Sequence, residues 1–378
     1  MNVKQILAAA CLAATAMPVS AQQQPWKFTA VLPVTGPNAG VGLEYKAGFE
    51  LAVEDINAAG GIKGRPIALE IYDSQGNPAQ VATLTRKGCE ESFAVLTSLS
   101  VEAQVALPVG NGMKCPTFAG SGAAPGLTSK DRPWNFATMS PTNVSTPLAV
   151  NIAYKALQPK TSVTFLERQD PSAMAYGSMT SETLTKNGVK DETVTVSNTD
   201  VDFGPALSRA TANGAPDLIV ISAMERSTVG LLKEYRKSQV KSKVMLTMSA
   251  FNSSVGAQPP EVLEGVYRFA LSDPELSTDP RVKKVVDRFK AKYPGKIPTL
   301  STTNVYDTLM YITDVMQKSD LKGEPATRDA DRQKLIDGLM QLKDWDGLTG
   351  KLTMTENRYM TSAPIVLVYK GGRWEEVK

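Results

Sequence analysis

The chain has 378 residues, 42% of them hydrophobic, which suffices for a substantial core and makes two domains the more natural size division than one. Its 41 basic and 38 acidic residues are spread evenly and leave a net charge of +3, with no basic stripe to neutralise a run of phosphates, so nucleic acid is not an expected partner. The absence of histidine removes Ser-His and Cys-His catalysis and His-ligated zinc; neither a metal nor a cofactor is expected.

In chain order, Lys4 precedes the apolar run Ile6 to Met17, and Val19-Ser20-Ala21 supplies small residues where a signal peptidase reads. The expectation is a signal peptide over 1–21 cleaved after Ala21, and a mature protein outside the cytoplasm. Cys11 follows three alanines as a lipoprotein cysteine would, but too few residues precede it for a charged region and an apolar core. No later run approaches the ~20 apolar residues that span a bilayer.

Phe28 to Leu32 reads as a buried strand and Pro33 to Gly42 as a glycine-punctuated loop. In the helix that follows, Phe49, Ala52, Val53 and Ile56 recur at i, i+3, i+4, i+7, with Lys46, Glu50, Glu54 and Asn57 on the wetter side. Gly60-Gly61 stops it, and Ile67, Leu69 and Ile71 alternate as a strand. The unit repeats as helix Ala79 to Glu91, opened by Asn77-Pro78, strand Phe93 to Leu96, helix Glu102 to Gly112 and strand Pro116 to Ala119. After the polar segment Ser129 to Thr146 come helix Pro147 to Leu157, strand Ser162 to Leu166, helix Ala175 to Asn187 and strand Thr193 to Val196. Helix Pro205 to Asn213, strand Leu218 to Ile221, helix Thr228 to Ser238 and strand Val244 to Met248 complete the second set. The later helices, Pro280 to Tyr293, Asn304 to Lys318 and Asp329 to Leu342, exceed what that sheet needs, so the chain is expected to return to the first lobe. The fold class is α/β: two Rossmann-like lobes with mostly parallel sheets and a ligand cleft beyond the carboxyl ends of the strands. Cys89 and Cys115 form an even pair in an oxidising compartment, each just before a strand, and are expected to bridge at the edge opposite the cleft.

The stretch Glu44-Tyr45-Lys46-Ala47-Gly48-Phe49-Glu50-Leu51-Ala52-Val53-Glu54-Asp55-Ile56-Asn57-Ala58-Ala59-Gly60-Gly61-Ile62-Lys63-Gly64-Arg65-Pro66 closely resembles the first helix and turn of the leucine/isoleucine/valine-binding protein family. Thr35-Gly36-Pro37, Tyr72-Asp73 with Asn77-Pro78, Pro125 to Thr128, and the tail from Leu348-Thr349-Gly350 to Gly371-Gly372-Arg373-Trp374 fit the same pattern. The resemblance covers nearly the whole mature chain. It implies a type I periplasmic binding protein of an ABC importer: two lobes joined by a three-crossover hinge, closing on a small-molecule ligand and signalling to a membrane permease. The expected lobes are 27–143 plus 273–347 and 144–272 plus 348–378, in a chain acting as a monomer.

By that resemblance, the positions matching Ser100, Ser121 and Ala123 hold a ligand carboxylate through hydroxyl and backbone N–H groups, and Ser98 lies at the same edge. The serines equally suit helix caps, and both roles stay open. Tyr176, before Gly177, matches a tyrosine that faces the ligand; packing at a helix start is its other reading. Where amino-acid-binding relatives place an acidic residue for the ligand ammonium, an ungapped comparison puts Met248, and Met224 replaces a nearby tyrosine. An ammonium buried beside methionine would be desolvated without a partner, so an α-amino acid is disfavoured, unless a one-residue slip brings Glu225 to the site. Methionine walls suit an aromatic or aliphatic carboxylate or amide, although core packing also explains them. Arg168 and Arg226 are candidate anion partners, or solvated surface arginines. The family's early cysteine pair is absent, with Gly76 and Leu99 at those positions. Two rivals remain: a branched-chain amino-acid binder, and a ligand-sensing regulatory module on the same fold. A secreted enzyme is disfavoured by the missing histidines and the lack of a G-x-G-x-x-G turn before the first helix.

Overall fold

The computed structural model describes residues 24–377, so the expected signal peptide, its cleavage after Ala21 and Cys11 lie outside the described residues. No helix among the described residues is long and apolar enough to cross a membrane.

The first lobe is built on a parallel sheet with strand order β2-β1-β3-β4-β5: β1 Trp26–Leu32, β2 Ile67–Asp73, β3 Ala94–Thr97, β4 Thr117–Ala119 and β5 Asn135–Ala137. Its crossovers carry α1 Ala39–Ala58, α2 Pro78–Glu91 and α3 Ser100–Gly112. The periodic face of α1 is the buried one, with Phe49, Ala52 and Ile56 in the core, and Gly60 and Gly61 at φ +95° and +72° end it in a conformation that glycine alone adopts freely. Asn77 caps α2 by accepting from the Ala79 N–H at 2.9 Å, with Pro78 in the first turn. Cys89 and Cys115 form a disulfide, Cα atoms 5.7 Å apart, at the amino-terminal edge of the sheet and away from the loops that follow the strands.

The chain then crosses into a seven-stranded sheet of order β15-β14-β10-β9-β8-β6-β7. Here α4 Thr142–Leu157, β6 Thr161–Glu167, α5 Pro171–Lys186, β7 Lys190–Val196, α6 Gly204–Ala210, β8 Leu218–Ser222, α7 Glu225–Ser238 and β9 Lys243–Leu246 follow in turn. Short helices α8 Ser253–Gly256 and α9 Pro260–Leu263 lead to β10 Val266–Ala270. The next helices, α10 Pro280–Lys292, α11 Leu300–Lys318 and α12 Arg328–Leu339, return to the first lobe. There α11 packs along α1 so closely that a Cβ at Gly48 would stand 2.5 Å from the Thr302 carbonyl oxygen. The chain crosses between lobes after β5, after β10 and once more before β14.

Four expectations need correction. Strands β11 Trp345–Gly347, β12 Gly350–Met354 and β13 Met360–Thr361 form a sheet of their own, and Leu352, Met354 and Met360 are buried in the first lobe's core. The last crossing therefore falls between Thr361 and Ile365, not at 347/348; only β14 Ile365–Lys370, antiparallel to β10, and β15 Arg373–Glu376, antiparallel to β14, join the second sheet. Helix α4 starts five residues before Pro147, whose missing N–H costs it one bond in the second turn. A strand, β5, lies inside the segment that reads as polar, too short to show an alternation. Finally, β9 stops at Leu246, and Met248 opens a 3₁₀ turn over Met248–Ala250.

Candidate functional site

Where the strands of both sheets end, the chain turns into helices whose first residues face one another across a cavity. Its wall is drawn from both lobes. Val41 and Tyr45 come from α1, Leu99 follows β3, Ser121 follows β4, Met139 follows β5, and Thr299, Leu300 and Ser301 open α11. Opposite them stand Ser172 and Tyr176 of α5, Met224 after β8, Met248 and Ser249 after β9, Phe251 and Asn252 before α8, and Arg268, Phe269 and Ala270 of β10. This is the crevice beyond strand carboxyl ends where α/β sheets take ligands. Its volume is about 60 Å³ for water-sized groups, against roughly 10–15 Å³ for a single water on the same measure, so a ligand must be small.

Among the described residues, Arg268 is the only charged side chain on that wall. It is 4% exposed, and its guanidinium lies 3.8 Å over the Phe251 ring and 4.5 Å over that of Trp374. Nη2 donates to the buried Asp273 carboxylate, while Nε has no partner. Burial lowers the guanidinium from its ordinary range and Asp273 opposes that; the unpartnered Nε is the donor it keeps to spare. Tyr176 is 2% exposed and meets Phe269 edge-on with centroids 5.8 Å apart. Its hydroxyl makes no well-formed hydrogen bond, with Ser145 offering only a weak one, and burial pushes the phenol up. Tyr45 donates to the Ser121 hydroxyl across the first-lobe wall.

Ser121, Tyr176, Met224 and Met248 thus share one cavity, but three of the residues singled out with them do not reach it. Ser98 donates to Glu102 Oε2 at 3.2 Å, and Ser100 Oγ accepts from the N–H groups of Ala123 and Ala124 at 3.1 and 3.2 Å. Ser98, Ser100 and Ala123 are all buried, lie off the cavity wall and make these hydrogen bonds within the protein itself. Arg168 and Arg226 are exposed and off the wall, because each sits where a strand or helix end turns to solvent. Glu225 is off it too: its carboxylate accepts from Asn252 Nδ2 at 2.8 Å and lies against Gly40 at the start of α1. Sequence reasoning missed Arg268, although an arginine inside the apolar run Val266 to Leu271 with an aspartate five residues on is the signature of a buried, paired cation.

The helix ends around the cavity carry carboxylates of their own. Glu102 is 1% exposed in the first turn of α3, and burial pushes it up to about 7 despite support from Ser98 and the Glu102 and Leu99 N–H groups. Asp170 caps α5, accepting from the Ala173 N–H at 2.7 Å; burial raises it to about 6. Glu167 Oε2 accepts from the Met224 N–H at 3.2 Å, where α7 begins. Glu44 takes the Thr299 N–H at 3.1 Å and the Ser253 N–H at 3.3 Å, joining the two lobes, and burial raises it. No group of three or more His, Cys, Asp or Glu among the described residues is arranged to hold a metal ion.

Comparison with known proteins places this architecture. The family profile described as Periplasmic binding protein matches residues 25–372. A Leucine-, isoleucine-, valine-, threonine-, and alanine-binding protein of Pseudomonas aeruginosa is 26% identical over 263 residues, 69% of each chain. Among solved structures, a leucine-binding protein of Thermotoga maritima superposes with a TM-score of 0.81 at 20% identity, covering 93% of this chain and 97% of that one. A solute-binding protein of an ABC transporter from R. palustris in complex with benzoate also reaches 0.81, at 18% identity over 93% and 95%. The two lobes, the crevice between them and the profile spanning nearly all the described residues agree: the chain belongs to the periplasmic binding protein family, among the relatives of the Leu/Ile/Val-binding proteins.

Proposed function

We propose that the protein is the extracytoplasmic, monomeric substrate-binding component of an ABC importer, and that its cargo is a small organic carboxylate with an aromatic or aliphatic body. It captures the solute by lobe closure, presents it to a membrane permease and does not turn it over. The observation that carries the reading is Arg268: a buried guanidinium with an unpartnered Nε, on a wall whose other residues are aliphatic, Met, Phe, Tyr, small hydroxyl residues and Asn252, none of them charged. A ligand carboxylate or amide oxygen would satisfy that donor, and the methionines would fit its apolar body. Tyr176 and Ser121 would add hydroxyl hydrogen bonds to the same polar end. The R. palustris solute-binding protein that shares this fold and holds benzoate supports this choice.

A branched-chain amino acid is the second reading, favoured by the similarity to the Leucine-, isoleucine-, valine-, threonine-, and alanine-binding protein of Pseudomonas aeruginosa. Against it, the wall residues include no carboxylate for an α-ammonium, which would then be desolvated unpaired at a cost of several kcal/mol. Thermal shift of the mature protein against benzoate, aliphatic monoacids, benzamide, leucine and valine separates the two. A ligand at 100 times its Kd adds about 2.7 kcal/mol of stability. Stabilisation by monoacids and not by leucine or valine is expected; the reverse would sink the carboxylate reading, and conversion of any stabilising compound would sink the transport reading.

A further inference from the structure

The N-terminus of a helix is a ready anion site, and four helices open onto this cavity through Leu99, Ser172, Met224 and Thr299. In each case a protein carboxylate is already there: Glu102 on α3, Asp170 on α5, Glu167 on α7 and Glu44 on α11. The dipoles that would otherwise welcome a ligand anion are spent internally. A second anion brought to any of these ends would meet like charge in a poorly hydrated space, which is strongly unfavourable. At α3 the arrangement is tightest. Leu99, the residue before the first turn, is on the wall, and Glu102, buried in that first turn, is held by Ser98 and left with Oε1 unpartnered. Asp170 of the other lobe adds its charge to the same region.

We infer that Glu102 is a specificity-determining residue: its carboxylate occupies the start of α3 and leaves Arg268 as the single anion-accepting group of the cavity, so the cleft selects monoacids and rejects diacids. The inference rests on the cavity being the ligand site. Glu102 touches no ligand; it is a positioning residue that acts by filling the helix end and, where it is ionised above about pH 7, by repelling a second charge. Alanine at this position would free the Leu99 and Glu102 N–H groups and open space for a distal carboxylate, whose charge-assisted hydrogen bonds to backbone N–H groups are strong enough to change affinity about tenfold or more.

The test is a set of dissociation constants by calorimetry at about pH 8, where Glu102 is ionised, for benzoate against terephthalate and pentanoate against glutarate, on the wild type and on Glu102→Ala, Glu102→Gln and Glu102→Asp. The expected wild type prefers each monoacid by about tenfold or more. Glu102→Ala, or the isosteric Glu102→Gln if alanine fails to fold, shrinks that preference by about tenfold while monoacid affinity stays within about twofold, and Glu102→Asp keeps it. An unchanged preference in a folded variant overturns the inference, as does a wild type that binds diacids and monoacids alike. If the wild type binds no carboxylate at all, the cargo reading fails and inorganic sulfate decides this one separately. Stabilisation of Glu102→Ala but not of the wild type by sulfate upholds a helix end closed by Glu102, and no effect in either refutes it.

Discussion

Replacing Glu102 by glutamine should change how stability depends on pH, and the size of the change follows from its surroundings. The carboxyl titrates ordinarily near 4.5 and is pushed up to about 7 in the folded chain because it is buried in the first turn of α3. A group whose folded value is raised binds its proton more tightly when folded. Its contribution is therefore fully present below about pH 4.5 and is lost as pH rises through about 7. With about 1.4 kcal/mol for each tenfold step, the loss is on the order of 3 kcal/mol. Glutamine cannot ionise, so Glu102→Gln escapes that loss. The stability difference between variant and wild type should move by about 3 kcal/mol in the variant's favour between about pH 4.5 and 8. Asp170, raised to about 6, contributes its own decline to both proteins and largely cancels in the difference. Urea unfolding followed by circular dichroism and by tryptophan fluorescence, at five pH values, supplies the measurement; agreement between the probes checks that the two lobes unfold together. A difference that stays flat across this range would refute the assignment of Glu102 as a buried, strained carboxyl.

Three further outcomes are expected. Arg268→Met leaves Asp273 buried without its partner and should cost about 3–5 kcal/mol in denaturant unfolding. Arg268→Met/Asp273→Asn should recover most of that stability and still lose monoacid binding by calorimetry; retained binding in the double variant would remove Arg268 from the ligand. Tyr176→Phe discards a buried hydroxyl that has no well-formed partner, so ligand-free stability should change by less than about 1 kcal/mol, while affinity drops about fivefold if that hydroxyl meets the ligand. Cys89→Ser/Cys115→Ser opens a loop with a sequence separation of 26 and should lower stability by about 3.5 kcal/mol on chain entropy. Ligand Kd should not move, because the bridge sits at the edge opposite the cavity; a large shift in Kd would contradict that placement.

Much of the architecture was legible because it is written locally. The i, i+3, i+4, i+7 apolar face of α1, the Asn77-Pro78 opening of α2 and the glycine stop at Gly60-Gly61 each act over a single turn, and the folded chain uses them as read. Strands such as β5, β11 and β13 were not legible, since two or three residues carry no alternation and owe their conformation to the neighbours they pair with. The last lobe crossing was misplaced for the same reason: whether Leu352, Met354 and Met360 belong to one core or the other depends on packing, not on pattern.

The candidate site divides along the same line. Composition and periodicity determined an α/β chain of two lobes with a crevice beyond its strands, without histidine chemistry; the family resemblance brought Ser121, Tyr176, Met224 and Met248 to attention. The tertiary structure decided which side chains face the crevice and which are used up behind it. Ser98 and Ser100 turned inward to serve Glu102 and the 123–124 backbone, Arg168 and Arg226 turned to solvent, and Arg268 came forward from an apolar strand. A residue's type fixes what it can bond to, but only the approach of segments distant in sequence fixes which partner claims it first. In this cleft the protein's own carboxylates claimed the helix ends, and that left the guanidinium of Arg268 as the charge on the wall.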